Sequence, residues 1–253
     1  MSGAFNNFLA VSGDLSAIAN MFLPAAPGPT SAAYVMGGTV AKSTVNRLPP
    51  KQVGTVTGAP TAGDAYLRLG PSGVVDLNVA DPGGDWAVMV AVRAPTLDPG
   101  TAQTIRIISN LGSAGQRGVQ LTATVNPSVP GRLITFTIAN EAGGEDDCIA
   151  TLSEIPNLTT QWLCIYAEAV SGVHGRVRDL TNGRTVTTPT AVVRGAAVRT
   201  FQIGKGPGNT FDGNLREFDM AGLTQFSTIP TEPEIQASYA QIKRRLARFG
   251  HAA

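Results

Sequence analysis

Residues 86–92 read Trp-Ala-Val-Met-Val-Ala-Val, apolar at every position. Successive side chains of a strand point to opposite faces, so a run that is apolar on both parities needs cover on both sides. That is the pattern of an inner strand where sheets are stacked. Similar Ile/Val/Thr/Leu-rich runs follow at Gln103–Ser109, Arg117–Val125 and Arg132–Ala139, with Gly or Pro in the gaps. Shorter runs lie at Val53–Thr57, Ala65–Leu69 and Cys148–Leu152, and Gln161–Ala169 reads as a second central strand. Asn182-Gly183, between the alternating runs Val173–Leu180 and Thr185–Thr188, predicts a hairpin with a type I′ turn, whose residues take positive φ. Val192–Arg199 leads into a last pair of runs, Phe201–Gly204 and Phe211–Phe226. Many short strands at this spacing predict a sandwich, not alternating βα units. The chain has 43% hydrophobic and 15% charged residues, enough for a full core and too little charge for disorder.

Two segments break the strand pattern. In residues 1–30, Phe5, Phe8 and Leu9 form an apolar cluster, and Asp14 caps a short helix with a face of Leu15, Ile18, Met21 and Phe22. Pro24, Pro27 and Pro29 end it. A helix this short is not stable alone, so it packs on its own domain or docks on a neighbouring subunit. The proline-rich separator favours an assembly arm. The expected division is an arm and linker over 1–30 and a sandwich over 31–253. At the other end Thr231, with Glu234 three residues on, is a capping box opening a helix to about Phe249. Ile235, Tyr239, Ile242, Leu246 and Phe249 form its inward stripe. Lys243, Arg244, Arg245 and Arg248 are expected on its solvated side, offsetting the helix dipole, and Gly250 terminates it.

Charge excludes several classes of partner. A formal net charge of +1 gives no footprint for nucleic acid, and no apolar run is long enough to span a membrane. Asp14 is the only charge before Lys42, so the positive n-region of a secretory signal is not seen, and folding in the cytosol, or export without a cleaved signal, is expected. Cys148 and Cys164 then read as buried free thiols, with a cross-strand disulfide as the alternative.

The C-terminal stretch carries a resemblance. Ile203-Gly204 ends a strand, a glycine loop follows, then Phe211-Asp212-Gly213, a long strand with Leu215 and Phe218 inward, and Thr231 to Tyr239 with Glu234-Ile235. This order resembles the end of the concanavalin A-like and laminin-G-like jelly rolls, where I-G, F-x-G, an acidic strand and S-x-x-E-I-x-x-x-Y succeed one another. Trp162 stands where those domains carry a W-x-x-hydrophobic strand. The resemblance implies an all-β, two-sheet antiparallel jelly-roll sandwich, here with an N-terminal arm and a C-terminal helix. That fold hosts lectins, glycosidases, adhesion modules and virion parts.

Candidate chemistry is sparse. The hydrolases of this fold carry E-x-D-x-x-E; Glu217-Phe218-Asp219 supplies two of the three acids, and Met220-Ala221-Gly222 supplies none. Both acids read as ordinary sheet residues, so no catalytic residue is expected. The loop with Glu141, Glu145, Asp146 and Asp147 reads as a solvated turn, with calcium binding as the alternative and no other cofactor expected. His174 and His251 lack a nucleophile pattern. Gly204–Gly208 lacks the ending of a phosphate loop. Tyr34 and Phe211 are the loop-edge aromatics available to a glycan. The resulting expectation is a non-enzymatic virion component of a tailed bacteriophage: a tail, fibre, receptor-binding or head-decoration protein, assembled in the host cytoplasm. It would form a homo-oligomer, a trimer, through Phe5, Phe8, Leu9, Leu15, Ile18, Met21 and Phe22, contact other virion proteins and touch host surface glycans. The alternative is a carbohydrate-binding module or a glycoside hydrolase acting on surface polysaccharide.

Overall fold

The computed structural model describes residues 30–49, 51–98, 100–111, 117–125, 132–139, 148–153, 155, 157–188, 193–205 and 214–252, with Cys148 by its backbone alone. Residues 1–29, including Phe5, Phe8, Leu9, Leu15, Ile18, Met21 and Phe22, lie outside these. So do Glu141, Glu145, Asp146, Asp147 and Phe211.

The elements run β1 (Thr30–Val35), α1 (Val40–Ser43), β2 (Thr55–Gly58), β3 (Thr61–Ala62), β4 (Leu67–Leu69), β5 (Gly73–Asp76), β6 (Trp86–Arg93), β7 (Gln103–Ser109) and β8 (Gly118–Val125). There follow β9 (Arg132–Ala139), β10 (Cys148–Leu152), β11 (Leu163–Val170), β12 (His174–Asp179), β13 (Arg184–Thr187), β14 (Gln202–Ile203), β15 (Phe218–Phe226) and α2 (Glu232–Arg248). They build two antiparallel sheets. One has the order β13-β12-β11-β6-β15-β4-β3, with β1 also paired to β15; the other is β10-β9-β8-β7-β14-β5-β2. The sheets pack face to face as a sandwich, as the strand spacing predicted.

The core between them holds Val88, Val90 and Val92 of β6, Ile165 of β11, Phe136 of β9 and Leu121 of β8, all fully buried. The other face of β6 and β11 is covered by α2: Met89, Cys164, Tyr166 and Phe226 pack with Ile235, and Ala91, Trp162 and Ala221 pack with Leu246. The double apolar parity of residues 86–92 thus has two causes, a sheet on one side and a helix on the other. In the second sheet β9 alternates between buried and half-buried residues, and threonine pairs such as Thr104–Thr124 and Thr135–Thr151 lie across the strands.

The capping box is present. The Thr231 amide and hydroxyl both donate to the Glu234 carboxylate, each at 2.8 Å. Cys164 is a buried free thiol, pushed up by burial and then by the Asp179 charge. No helix among the described residues is long and apolar enough to cross a membrane.

Four expectations are corrected. Tyr34 is no loop-edge aromatic: it lies in β1, is 2% exposed, and its hydroxyl donates to the Leu77 carbonyl at 3.1 Å inside the core. Phe249 follows α2 and is 42% exposed, outside the inward stripe. The hairpin turn is not type I′. The register pairs Asp179 with Arg184, leaving a four-residue loop in which Gly183 has positive φ and Asn182 does not. The buried Asp179 carboxylate holds that loop by accepting from the amides of Thr181 and Asn182.

The fourth concerns Arg245, which is buried and not solvated. β15 pairs with β4 through Met220 and with β1 from Gly222 onward, and the bulge between these registers falls at Ala221. Where one neighbour strand ends and the next begins, carbonyls lose their ladder partners. The Arg245 guanidinium takes two of them, Ala65 and Met36, and adds a second donor to Ala221 O, which already accepts from the Met36 amide at 3.0 Å. Nη1 donates to Ala221 O at 2.6 Å, and Nη2 donates to Ala65 O at 3.0 Å and to Met36 O. Burial, and then the Arg47 charge, push this guanidinium down to about 10, so it stays charged at neutral pH. Only a planar fork with several donors fits three carbonyls at once. Arg245→Ala is expected to lower unfolding free energy by about 3 kcal/mol, since each buried carbonyl left bare costs about 1–3 kcal/mol before relaxation. Urea denaturation at pH 7 checks this against the exposed neighbour Arg244→Ala, expected within about 0.5 kcal/mol of wild type. Equal losses in the two variants would contradict the role of Arg245.

Candidate binding site beside the covering helix

Three charged residues lie in register across the outer face of the helix-covered sheet. Asp219 of β15 is the direct partner of Arg68 on β4 and of Arg93 on β6. Side chains directly opposite on neighbouring strands share a face. The Asp219 carboxylate is fully buried. It accepts from Arg68 Nε at 2.8 Å and Nη2 at 3.2 Å, and from Arg93 Nη2 at 2.8 Å. The arginines are 35% and 23% exposed, so they form the open rim of a buried acid. The bond to Asp219 raises the Arg68 guanidinium above its ordinary value, against a smaller effect of burial.

Aromatic rings flank this row. Tyr66 lies just before β4, and both guanidinium carbons sit 5.8 Å from its ring centre. Trp162 lies just before β11, with Arg93 5.1 Å from its ring centre and Tyr66 6.0 Å away at a 49° tilt. His251, just past α2, has its ring centre 5.8 Å from that of Trp162. Arg93 Nε and Trp162 Nε1 are both buried without a hydrogen-bond partner. The chemistry gathered here is the half-buried Tyr66 ring beside two guanidiniums fixed by Asp219, suited to a ligand with a hydrogen-bonding edge and an apolar face.

A second cluster lies toward the other end of the same face. The buried Glu168 carboxylate accepts from Tyr166 Oη at 2.6 Å, contacts His174 Nε2 at 3.0 Å and pairs with Arg176. Burial, followed by the Glu168 charge, drives the Tyr166 phenol well above its ordinary range. Beside it Arg178 grips Glu232 of α2 through two bonds, at 2.6 and 2.9 Å. Glu168 lies opposite Ala87 and Asp219 opposite Arg93, so six steps of β6 separate them. At about 3.4 Å per step the two carboxylates stand about 20 Å apart. Glycoside hydrolysis needs its pair within about 10 Å.

Glu217, the other acid of the Glu217-Phe218-Asp219 pattern, lies ahead of β15 and accepts from Ser72 Oγ. Asp219, read as an ordinary sheet residue, is the centre of the site. Tyr34 is in the core, and Phe211, Glu145, Asp146, Asp147 and the arm residues lie outside the described residues. Among the described residues no group of three His, Cys, Asp or Glu could hold a metal ion. Tyr66, Arg68, Arg93 and Trp162 were missed. A usable signal existed for two of them: Arg68 is the lone charge of Leu-Arg-Leu, and Arg93 ends an otherwise apolar strand.

Comparison with solved structures finds similar chains. The receptor-binding domain of botulinum neurotoxin D matches with a TM-score of 0.60 at 10% identity, over 84% of this chain and 52% of that one. A botulinum neurotoxin serotype D ligand-binding domain in complex with N-acetylneuraminic acid matches with a TM-score of 0.59 at 11% identity, over 88% of this chain and 52% of that one. A mosaic C/D receptor-binding domain matches at 0.58 and 10%, over 84% and 51%. The likeness shows the fold. It is a lectin-like β-sandwich, and the chain spans about half the length of these neighbours. No protein-family model matches the sequence, and comparison with curated proteins finds no match.

The Arg178–Glu232 pair gives a pH prediction. Its bonds, first from Arg178 and then from Gln236, hold the Glu232 carboxyl down to about 2. A depressed carboxylate stabilises above its unfolded value, near 4.5, and that stabilisation fades as pH falls toward 2. Glu232 is 55% exposed, so solvent screening limits the effect to under about 1 kcal/mol. The stability gap between wild type and Glu232→Gln is expected to be flat above pH 5 and to close by about pH 2, read from urea midpoints. A gap that ignores pH would contradict the assignment.

Proposed function

We propose that this chain is a non-catalytic recognition module, a lectin-like sandwich carried on a larger assembly that reads surface glycans through the Tyr66–Arg68–Arg93–Trp162–Asp219 cluster. The observation that carries the reading is the row of Arg68, Asp219 and Arg93 with the half-buried Tyr66 ring 5.8 Å from both guanidinium carbons. Sugars are held by such sets, in which fixed polar groups orient the hydroxyls and a ring meets the C–H face. A structural neighbour described in complex with N-acetylneuraminic acid adds support from a protein of the same fold. The non-catalytic part rests on the wide separation of Glu168 and Asp219 and on the arginine bonds that occupy both.

The assembly we propose is a virion of the tailed-phage kind that the sequence resembles, with a homotrimer built through residues 1–30. Supporting it are the apolar residues Phe5, Phe8, Leu9, Ile18 and Phe22 ahead of a proline-rich linker. The experiment pairs a glycan array with solution mass on the full chain. Wild type is expected to be trimeric and to bind a subset of glycans without releasing new reducing ends. The double variant Phe8→Asp/Ile18→Asp is expected to be monomeric with its per-site affinity unchanged. A monomeric wild type would remove the assembly role, and cleavage of an arrayed polysaccharide would remove the non-catalytic one.

A further inference from the structure

We propose that the cluster around Arg93 and Trp162 selects carboxylate-bearing sugars, such as sialic or uronic acids, over neutral ones. This deepens the glycan-binding reading above and rests on it.

The first ground is charge. Arg68 and Arg93 share one buried carboxylate, Asp219, and Arg245 places a third cation at the carbonyl of Ala65, next to Tyr66. The acids facing this group are Asp219 and Glu217, the latter acting on Arg68 from the end of β15. With Arg47, whose charge acts on Arg245, and Asp64, next to Ala65 in the chain, four cations stand against three carboxylates, an excess of one positive charge at a half-buried seam where solvent screens it weakly. An anion restores the balance, and a carboxylate matches the planar guanidinium fork.

The second ground is hydrogen bonding. Arg93 commits Nη2 to Asp219, while its Nε and the Trp162 Nε1 are buried donors with no acceptor. The guanidinium lies over that same indole, so the two bare donors share one neighbourhood. Both lack an acceptor, and neither lacks a donor. A carboxylate supplies acceptor oxygens only. A neutral hydroxyl edge would bring donors to a place already holding a surplus of them.

The third ground is shape. The half-buried Tyr66 ring, with the buried Trp162 ring packed 6.0 Å from it, gives an apolar surface beside the charges. A free inorganic anion uses none of it, whereas a sugar acid uses both the surface and the charge.

The test is calorimetry on the full chain with four probes: sodium N-acetylneuraminate, sodium glucuronate, neutral glucose and sodium sulfate. At least one sugar acid is expected to bind tenfold or more tightly than glucose and sulfate, with affinity falling as salt rises. Arg93→Gln is expected to lower that affinity at least tenfold, and Arg178→Gln, in the distant cluster, to leave it unchanged. Should Arg93→Gln fail to fold, Trp162→Phe keeps the ring and removes only the Nε1 donor, and is expected to weaken the acid severalfold. Glucose binding as well as the acids would overturn this inference and leave the glycan reading intact. Sulfate binding as well as the acids would mean an adventitious ion only. No sugar binding at all would overturn the glycan reading as well.

Discussion

The sandwich depends on how one strand, β15, changes neighbours in mid-course. A sheet edge that passes from one short strand to another leaves carbonyls without amide partners, and in a dry interior each is costly. Here the change falls at the Ala221 bulge, directly beneath α2. The Arg245 guanidinium enters from the helix and gathers Ala221, Ala65 and Met36. One side chain thereby joins the end of β1, the approach to β4, the centre of β15 and the C-terminal helix. Among the described residues the buried cation has no carboxylate of its own. Carbonyl dipoles replace the water it lost, and the penalty of burial shows in its lowered pKa.

That seam also sets where ligand chemistry can sit. α2 covers the middle of the sheet with Ile235 and Leu246, and the charged residues of the strands emerge beside it. On one side Asp219 gathers Arg68 and Arg93; on the other Glu168 gathers Tyr166, His174 and Arg176. In both, a buried carboxylate is ringed by half-exposed donors. The clusters differ in what remains open. Around Glu168 both carboxylate oxygens are occupied and the helix itself adds the Arg178–Glu232 pair. Around Asp219 both oxygens are occupied as well, and unpartnered buried donors occur in both clusters, Arg93 Nε here and Arg176 Nε there, but here the half-buried Tyr66 ring lies at the rim.

The fold was legible in the sequence because its signals are periodic and local. Double parity at residues 86–92, glycine and proline punctuation, and Thr231 with Glu234 each report on one strand, turn or cap. The misreadings involve partners far away in the chain. Tyr34 sits among glycines and alanines and looks like a loop residue until β1 is laid on β15, nearly two hundred positions later. Arg245 stands in a run of basic residues at a helix end, and nothing nearby distinguishes it from exposed Arg244. Asn182-Gly183 suggests a two-residue turn, whereas Asp179 stabilises a wider one. The candidate site is least legible of all. Its members are single residues on β4, β6 and β15 and before β4 and β11, brought together only by sheet order.

The central claim is that the seam beside α2, and not the threonine face of the opposite sheet, receives the ligand. The chain has two tryptophans, so a proton–nitrogen correlation spectrum carries two indole signals, from Trp162 at the seam and Trp86 inside the core. The account predicts that titrating N-acetylneuraminate into the labelled protein moves the Trp162 indole signal and leaves that of Trp86 in place. Saturation with the Trp162 signal unmoved, and shifts confined to threonine amides of the other sheet, would contradict it.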